Sequence, residues 1–375
     1  MGGEWIGRDH RRMLRLCSEL GLELEGHTYR LSLLRSGAIS GPGEWQFSQC
    51  SIDAWGALKR RFESATSEER LAFDCTDWWR MLERQGFTPD DLRLRDLLDS
   101  LEVGESIRRT SALAAAEEYM SRDYMHPLET SQQDLHIRGG NSLLVEALFK
   151  HLPPGSVFSG RCVQAVAQTG GGVQVTAGNE IFEADACVCA IPASMLHKTT
   201  FDPPLPEAQS AAAEQLQYAR ITKTQMLFSE RFWPSEDFSL LTDRTSHQFF
   251  HTTLGQPGRQ GILCNYSTGD KADVIAAQNQ EGRDRLLLAD LAEALPAGAA
   301  QLRATHCKPW QQDELTGGAY AVYGPGQISR IRPLLRQPHG RIAFAGDHLG
   351  DDHGYMEGAV ASGEAAARWL MQRYV

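Results

Sequence analysis

No apolar run in this 375-residue sequence approaches the roughly 18 residues that a membrane-spanning helix requires. No basic stretch followed by an apolar one opens the chain, so nothing reads as a secretory leader. From these two absences a cytoplasmic protein without membrane contact is expected. Cations are also scarce: 37 Lys and Arg face 48 Asp and Glu, a formal net charge of −11. Grooves that bind nucleic acid are built from an excess of positive charge, so no nucleic acid is expected as a partner. The eight cysteines form no Cys-x-x-Cys pair, which excludes a zinc knuckle, and they are too sparse for a disulfide-stapled secreted scaffold. Cys187 and Cys189 fall inside the apolar run ACVCAI, where a thiol serves as a small hydrophobe. No metal site is expected, and low-complexity tracts and fixed-period repeats are missing as well.

What is present is an ordinary globular composition, 42% hydrophobic and 23% charged, long enough for two domains. Asp9 is a candidate N-cap and Gly21 a candidate C′ residue of a first helix whose Met13, Leu14, Cys17 and Leu20 share one face. Leu22 to Leu24 alternates like a strand. From Ser51 to Arg122 the period is helical, punctuated at Gly86-Phe87-Thr88-Pro89 and at Gly104. Asn141 can cap a helix that buries Leu143, Leu144, Ala147 and Leu148. Next come CVQAVAQ, VQVTA and EIFEA, separated by Gly170-Gly171-Gly172 and Gly178-Asn179, the pattern of a β-meander. ADACVCAIP lacks alternation, as a strand covered on both faces does. RIAFAG predicts a second buried strand, and a small-residue helix is expected from about Met356.

The segments GGEWIG with a helix ending ELGLE, IRGGNSLLVEAL, CVCAIPASML with FDPPLP, ITKTQMLFSERFW, Trp310 with Ala319-Tyr320, and FAGDH with GYMEGAVASGEAAA stand in that order over nearly the whole chain. This set resembles the FAD-dependent amine oxidase family of flavin monoamine oxidases, polyamine oxidases and L-amino-acid oxidases. The resemblance implies an α/β fold in which a doubly wound FAD-binding domain (1–50, 136–200 and 316–375) interleaves with a mixed α+β substrate domain (51–135 and 201–315). It also implies oxidation of a small-molecule amine or amino acid by hydride transfer to flavin N5.

Carried over residue by residue, the resemblance puts Gly2, Gly3, Glu4, Trp5, Gly346, Asp347, Tyr355, Met356 and Ala359 at the cofactor. Val163 would offer its backbone to the adenine. The helix that starts near Met356 presents free N–H groups and a positive dipole end, which suit the electron-rich edge of a reduced flavin. Asp347 can accept hydrogen bonds from the ribityl hydroxyls or simply cap a loop. Lys223, ten residues before Trp233, matches a lysine that holds a water near N5; strand alternation could instead aim it at solvent. Tyr320 and Tyr355 match the aromatics that flank a substrate amine, whose cationic form their faces would attract, or they are two core tyrosines. Trp310 resembles a packing residue. Ala319 stands where some relatives carry a flavin-linking cysteine, so FAD is expected to be held noncovalently.

One piece of the family's pattern is missing. A dinucleotide fold needs a strand, a Gly-x-Gly-x-x-Gly turn and a helix whose N-terminus grips the diphosphate, and no such motif occurs in the sequence. Gly170 to Gly172 lies in a meander turn, and YGPGQIS opens no apolar helix. In the family that β-α-β unit precedes the residues matched here by Gly2 to Trp5. The FAD-binding domain is therefore expected to be incomplete and completed by a small partner subunit that supplies the unit; a cleaved fragment and a flavin-free relic are the other readings. The leading expectation is the large catalytic subunit of a two-component amine oxidase. An L-amino-acid oxidase subunit, which would want an arginine fork for the substrate carboxylate near Arg8, Arg11 and Arg12, remains open. So do a non-catalytic scaffold and a desaturase-like flavoenzyme.

Overall fold

The computed structural model of the protein describes residues 2–120 and 135–374. Met1 and Arg122, the ends of two stretches quoted above, lie outside the described residues. Helix α1 (Arg11–Glu19) begins after His10, not Asp9, and His10 makes no side-chain cap. The first-turn N–H groups of Arg12 and Met13 instead donate to the Glu357 carboxylate at 3.0 and 2.9 Å. Gly21, at φ +66°, closes the helix as expected. Strand β1 (Leu24–Gly26) lies slightly later than the alternation suggested, and β2 (Arg30–Arg35) and β3 (Ala38–Ser40) follow.

The helical stretch forms as read: α2 (Gln49–Glu63), α3 (Ser67–Asp74), α4 (Trp78–Gln85), α5 (Pro89–Val103) and α6 (Ala112–Tyr119). Its punctuation has local causes. Thr66 and Glu69 make a capping box on α3, and Asp77 caps α4. Thr88 caps α5 ahead of Pro89, with Asp90 and Asp91 in the first turn. Gly86 and Gly104, at φ +100° and +73°, end α4 and α5 in the left-handed region. Trp55, Leu58, Phe73, Trp78 and Leu82 then share one core with Tyr323, Ile342 and Phe344 of the C-terminal part.

After β4 (Leu135–Ile137) and α7 (Ser142–His151) come the meander strands β5 (Val163–Gln168), β6 (Val173–Ala177) and β7 (Glu180–Ala184), then β8 (Cys187–Cys189) and β9 (Thr200–Asp202). Helix α8 (Glu207–Gln215) leads to β10 (Gln217–Tyr218), β11 (Ile221–Phe228), β12 (Phe238–Thr242), β13 (Gln248–His251) and β14 (Gly261–Thr268). Helices α9 (Gly269–Ala276) and α10 (Gln280–Ala292) and the turn α11 (Gly298–Gln301) precede β15 (Leu302–Pro309) and β16 (Ala321–Val322). The turns α12 (Gln327–Arg330) and α13 (Arg332–Leu335), strand β17 (Ile342–Phe344) and α14 (Met356–Tyr374) complete the order.

The largest sheet runs β15-β11-β14-β13-β12-β2-β3. Through the parallel β12–β2 pair it takes in residues 30–40, which the sequence grouped with the first segment. The meander is β7-β6-β5-β9. β17 and β8 form a parallel two-stranded sheet, which α14 covers.

Two packing expectations are corrected. Val188 in β8 is 39% exposed, so this strand is not covered on both faces. In α7 only Leu144 is buried, through Ile6, Met13 and Ile137; Leu148 is 40% exposed, and Val145 and Phe149 more so. In both cases the apolar side stays exposed among the described residues.

Two predictions concern stability. Burial lowers His27 to about 4, assisted by His136, and lowers His247 to about 3, assisted by Lys271. In the unfolded chain both protonate near 6.5, so acid favours unfolding. Stability should be full above about pH 6.5 and fall toward pH 4, by up to about 1.4 kcal/mol per pH unit per histidine. Urea unfolding at pH 5 and 7 measures this, and His247→Asn should flatten the dependence. Removing the buried carboxylate that closes α1, by Glu357→Ala, should cost about 3 kcal/mol in the same assay, and Glu357→Gln less.

Candidate active site

A cavity of about 420 Å³ is walled by the N-terminal residues, the helical layer, the large sheet and the C-terminal part. Gly2 to Trp5 form one side with Met356 and Ala359 of α14. Strands β11 and β14 contribute Lys223 and Tyr266, α5 contributes Arg95, Asp99 and Glu102, and the loops before β16 and α14 bring Tyr320 and Tyr355.

Lys223 does not point to solvent. It lies on β11, an interior strand of the seven-stranded sheet, opposite Tyr266 on β14 and Lys308 on β15, and is 9% exposed. Its Nζ donates to the Gly2 carbonyl and to the Glu4 carboxylate, both at 3.2 Å, and lies 5.3 Å from the Tyr266 ring centroid. Burial pushes this ammonium down, but Glu4, Cys264 and Tyr266 together outweigh burial and hold it above its ordinary value. A buried charge is tolerable because it is paired in this way.

Tyr320 is anchored on the end of α5: its hydroxyl donates to the Glu102 carbonyl and lies 3.4 Å from the Tyr266 hydroxyl. Burial, reinforced by Tyr266, holds the phenol well above its usual range. The Tyr355 hydroxyl donates to the carboxylates of Glu118 at 3.0 Å and Glu102 at 3.4 Å. A Cβ on Gly354 would come within 2.7 Å of the Tyr320 ring. Only glycine, here at φ +82°, lets the chain pass behind that ring and place Tyr355 next to it.

Of the other expected residues, Asp347 lines the cavity and accepts the Ala321 N–H at 3.3 Å. Gly346 does not line it; its backbone is bonded to the Ser362 hydroxyl, which sets the turn that aims Asp347. Val163 lies in the meander at the start of β5, outside the cavity lining. Trp5 stacks edge-on against His27 and Tyr29 at 5.1 and 5.0 Å. Trp310 packs beside Gly2, as a packing residue would.

Several lining residues went unread. Arg95 and Asp99 form a buried pair at 2.6 Å, with the arginine 4.5 Å from the Trp55 ring centroid. Burial, opposed by Arg95, raises Asp99 to about 6. The i, i+4 spacing of Arg95 and Asp99 was a visible signal for a pair, though not for its burial. Tyr29, Tyr266 and Glu102 carry no such signal, since sheet register and helix packing bring them to the site. Glu357 stands inside the quoted GYMEGA motif, and an acid in the first turn of a helix was the clue to its capping role.

Comparison with known proteins agrees with this geometry. The profile of the flavin containing amine oxidoreductases matches residues 1–371. The chain is 26% identical to amine oxidase [flavin-containing] B of Mus musculus over 99% of its own length and 76% of that protein. For amine oxidase [flavin-containing] A of Canis lupus familiaris the identity is 25%, with 99% and 75% covered. Among solved structures, a redesigned putrescine oxidase superposes with a TM-score of 0.86 at 20% identity, covering 99% of this chain and 88% of the other. Cyclohexylamine oxidase from Brevibacterium oxydans IH-35A superposes at 0.85 with 21% identity, covering 99% and 87%; both show the fold. The chain belongs to the flavin containing amine oxidoreductase family.

Proposed function

We propose that this chain carries the catalytic site of an amine oxidase that holds FAD noncovalently and oxidises a small amine to its imine. The observation that carries the reading is the convergence of Lys223, Tyr320 and Tyr355 on one cavity beside Gly2, Gly3 and the first turn of α14.

The site fits the flavin ring. Gly2, Gly3, Ala319 and Ala359 keep that part of the lining free of bulk, and the start of the 19-residue α14 supplies a positive dipole end. With Glu4, Trp5, Asp347, Tyr355 and Met356 these residues would hold the cofactor. The lining fits the diphosphate poorly: its cations Arg95 and Lys223 are engaged by Asp99 and Glu4. When bound, FAD supplies the two-electron acceptor that takes hydride from the carbon bearing the amine. Tyr320 and Tyr355, both tied by their hydroxyls to the end of α5 or to α6, orient the amine by their ring faces. Lys223, kept charged by Glu4, holds a water at its Nζ. The buried walls exclude bulk water until the imine leaves to be hydrolysed.

An amine is favoured over an amino acid because a substrate carboxylate would have to displace Asp99 or Glu4. Arg8 is exposed and Arg12 is bonded to Glu357, so neither offers the cavity a fork. Turnover of a primary amine should exceed that of its α-carboxylated parent at least tenfold in kcat/KM; the reverse order would make this an amino-acid oxidase. Lys223→Met should slow flavin reduction or reoxidation in stopped flow by about tenfold or more while FAD stays bound. Unchanged kinetics would remove Lys223 from the chemistry, and FAD-loaded protein that shows no substrate-dependent bleaching would be a scaffold.

A further inference from the structure

Three polar side chains form one row across the cavity face of the large sheet. Lys223 on β11 stands opposite Tyr266 on β14, and Tyr266 stands opposite Gln248 on β13. Residues directly opposite point to the same face, and all three line the cavity. Adjacent strands lie about 4.8 Å apart, so Gln248 sits one strand spacing beyond Tyr266 and two beyond Lys223. The next row, Cys264, Phe250, Ser239 and Leu31, is mostly apolar, and Leu98 and Ile221 extend the apolar wall.

Two of these polar groups are already engaged. Lys223 is held by Gly2 and Glu4. The Tyr266 hydroxyl donates to the Leu101 carbonyl at 3.3 Å and lies 3.4 Å from the Tyr320 hydroxyl. Gln248 differs. Its amide N–H donates to the Ser239 hydroxyl at 3.0 Å, and Ser239 is fully buried. That bond fixes which end of the amide is the nitrogen. The carbonyl oxygen at the other end accepts no hydrogen bond from the described residues, yet it is not sealed inside the protein. An open acceptor in an apolar-walled cavity selects a ligand group that donates.

The row gives the substrate a direction. With its amine between Tyr320 and Tyr355, next to Tyr266, a tail that follows the row meets Gln248 one strand further on. We infer that Gln248, set by Ser239, recognises a hydrogen-bond donor on the substrate tail, so that the preferred substrate is a short amine ending in a hydroxyl, an ω-amino alcohol. A plain alkyl tail would displace water from the amide oxygen and leave it unpaired. A second ammonium would meet the dipole of an amide and no charge to offset its desolvation. This rests on the amine oxidase reading above and names the substrate class of that site.

The test measures kcat/KM of the FAD-loaded protein on ω-amino alcohols of increasing length, their methyl ethers and the matching alkylamines. A methyl ether accepts a hydrogen bond but cannot donate one. At one chain length the alcohol should exceed both its ether and its alkylamine by about tenfold or more. Gln248→Leu should remove this preference. Ser239→Ala frees the amide to turn its N–H groups to the cavity, and should lower the alcohol-to-ether ratio several-fold. Ratios within one variant are compared, so a general loss of activity does not imitate the effect. Circular dichroism checks folding, and if Gln248→Leu does not fold, the Ser239→Ala ratio decides. Equal turnover of alcohol and ether by the wild-type protein, a preference that survives Gln248→Leu, a ratio unmoved by Ser239→Ala, or an ω-diamine turned over faster than the alcohol would each overturn the assignment. Those results leave the amine oxidase reading standing. Failure of every amine, alkylamines included, to bleach the flavin is a different result: it overturns that reading, and the substrate class with it.

Discussion

The Glu357 carboxylate joins the two ends of the chain. It stands in the first turn of α14, is 3% exposed, and accepts the backbone N–H groups of Arg12 and Met13 and the Arg12 guanidinium, 344 and 345 residues away in sequence. One buried anion thereby satisfies the open N-terminus of α1, where His10 makes no side-chain cap. The closure sets Gly2 to Trp5 against Met356 and Ala359. Lys223 then reaches across from the large sheet to the Gly2 carbonyl and the Glu4 carboxylate. The cavity wall is therefore a joint among three distant stretches, held by charge-assisted bonds that are strong because they are buried and paired.

The opposite wall is organised by a second buried pair. Asp99 accepts from Arg95 and from the Trp78 indole at 2.8 Å, and Arg95 lies over Trp55 and near Tyr119. These contacts fix the end of α5, whose carbonyls receive Tyr320 and Tyr266. Asp74 tethers the same helical layer to the C-terminal part by accepting from Ser111 and from the start of α12. The helical layer is in this way a structural support for the aromatic side of the site.

Legibility followed the range of the interactions. Thr88-Pro89, Gly86 and Gly104 act within one helix turn, so the end of α4 and both ends of α5 were readable. The glycine turns of the meander were equally local. Lys223 was placed at the site through resemblance, but its burial was not legible, because strand alternation fails in an interior strand covered on both faces. The reading of α7 was wrong in an informative way: its apolar period was genuine, yet period says which residues share a face and not whether this chain covers that face. Val188 in β8 was misread for the same reason.

By itself the sequence determined the helical stretch with its glycine and Thr-Pro ends, the meander and the family, all of which are properties of neighbouring residues or of motif order. Only the tertiary structure decided that Glu357 would close α1, that Glu4 would keep Lys223 charged, and that Tyr320 would lean on α5 beside Tyr355. Those pairings depend on distances of a few ångströms between residues far apart in the chain, and such distances exist only once the whole core has packed.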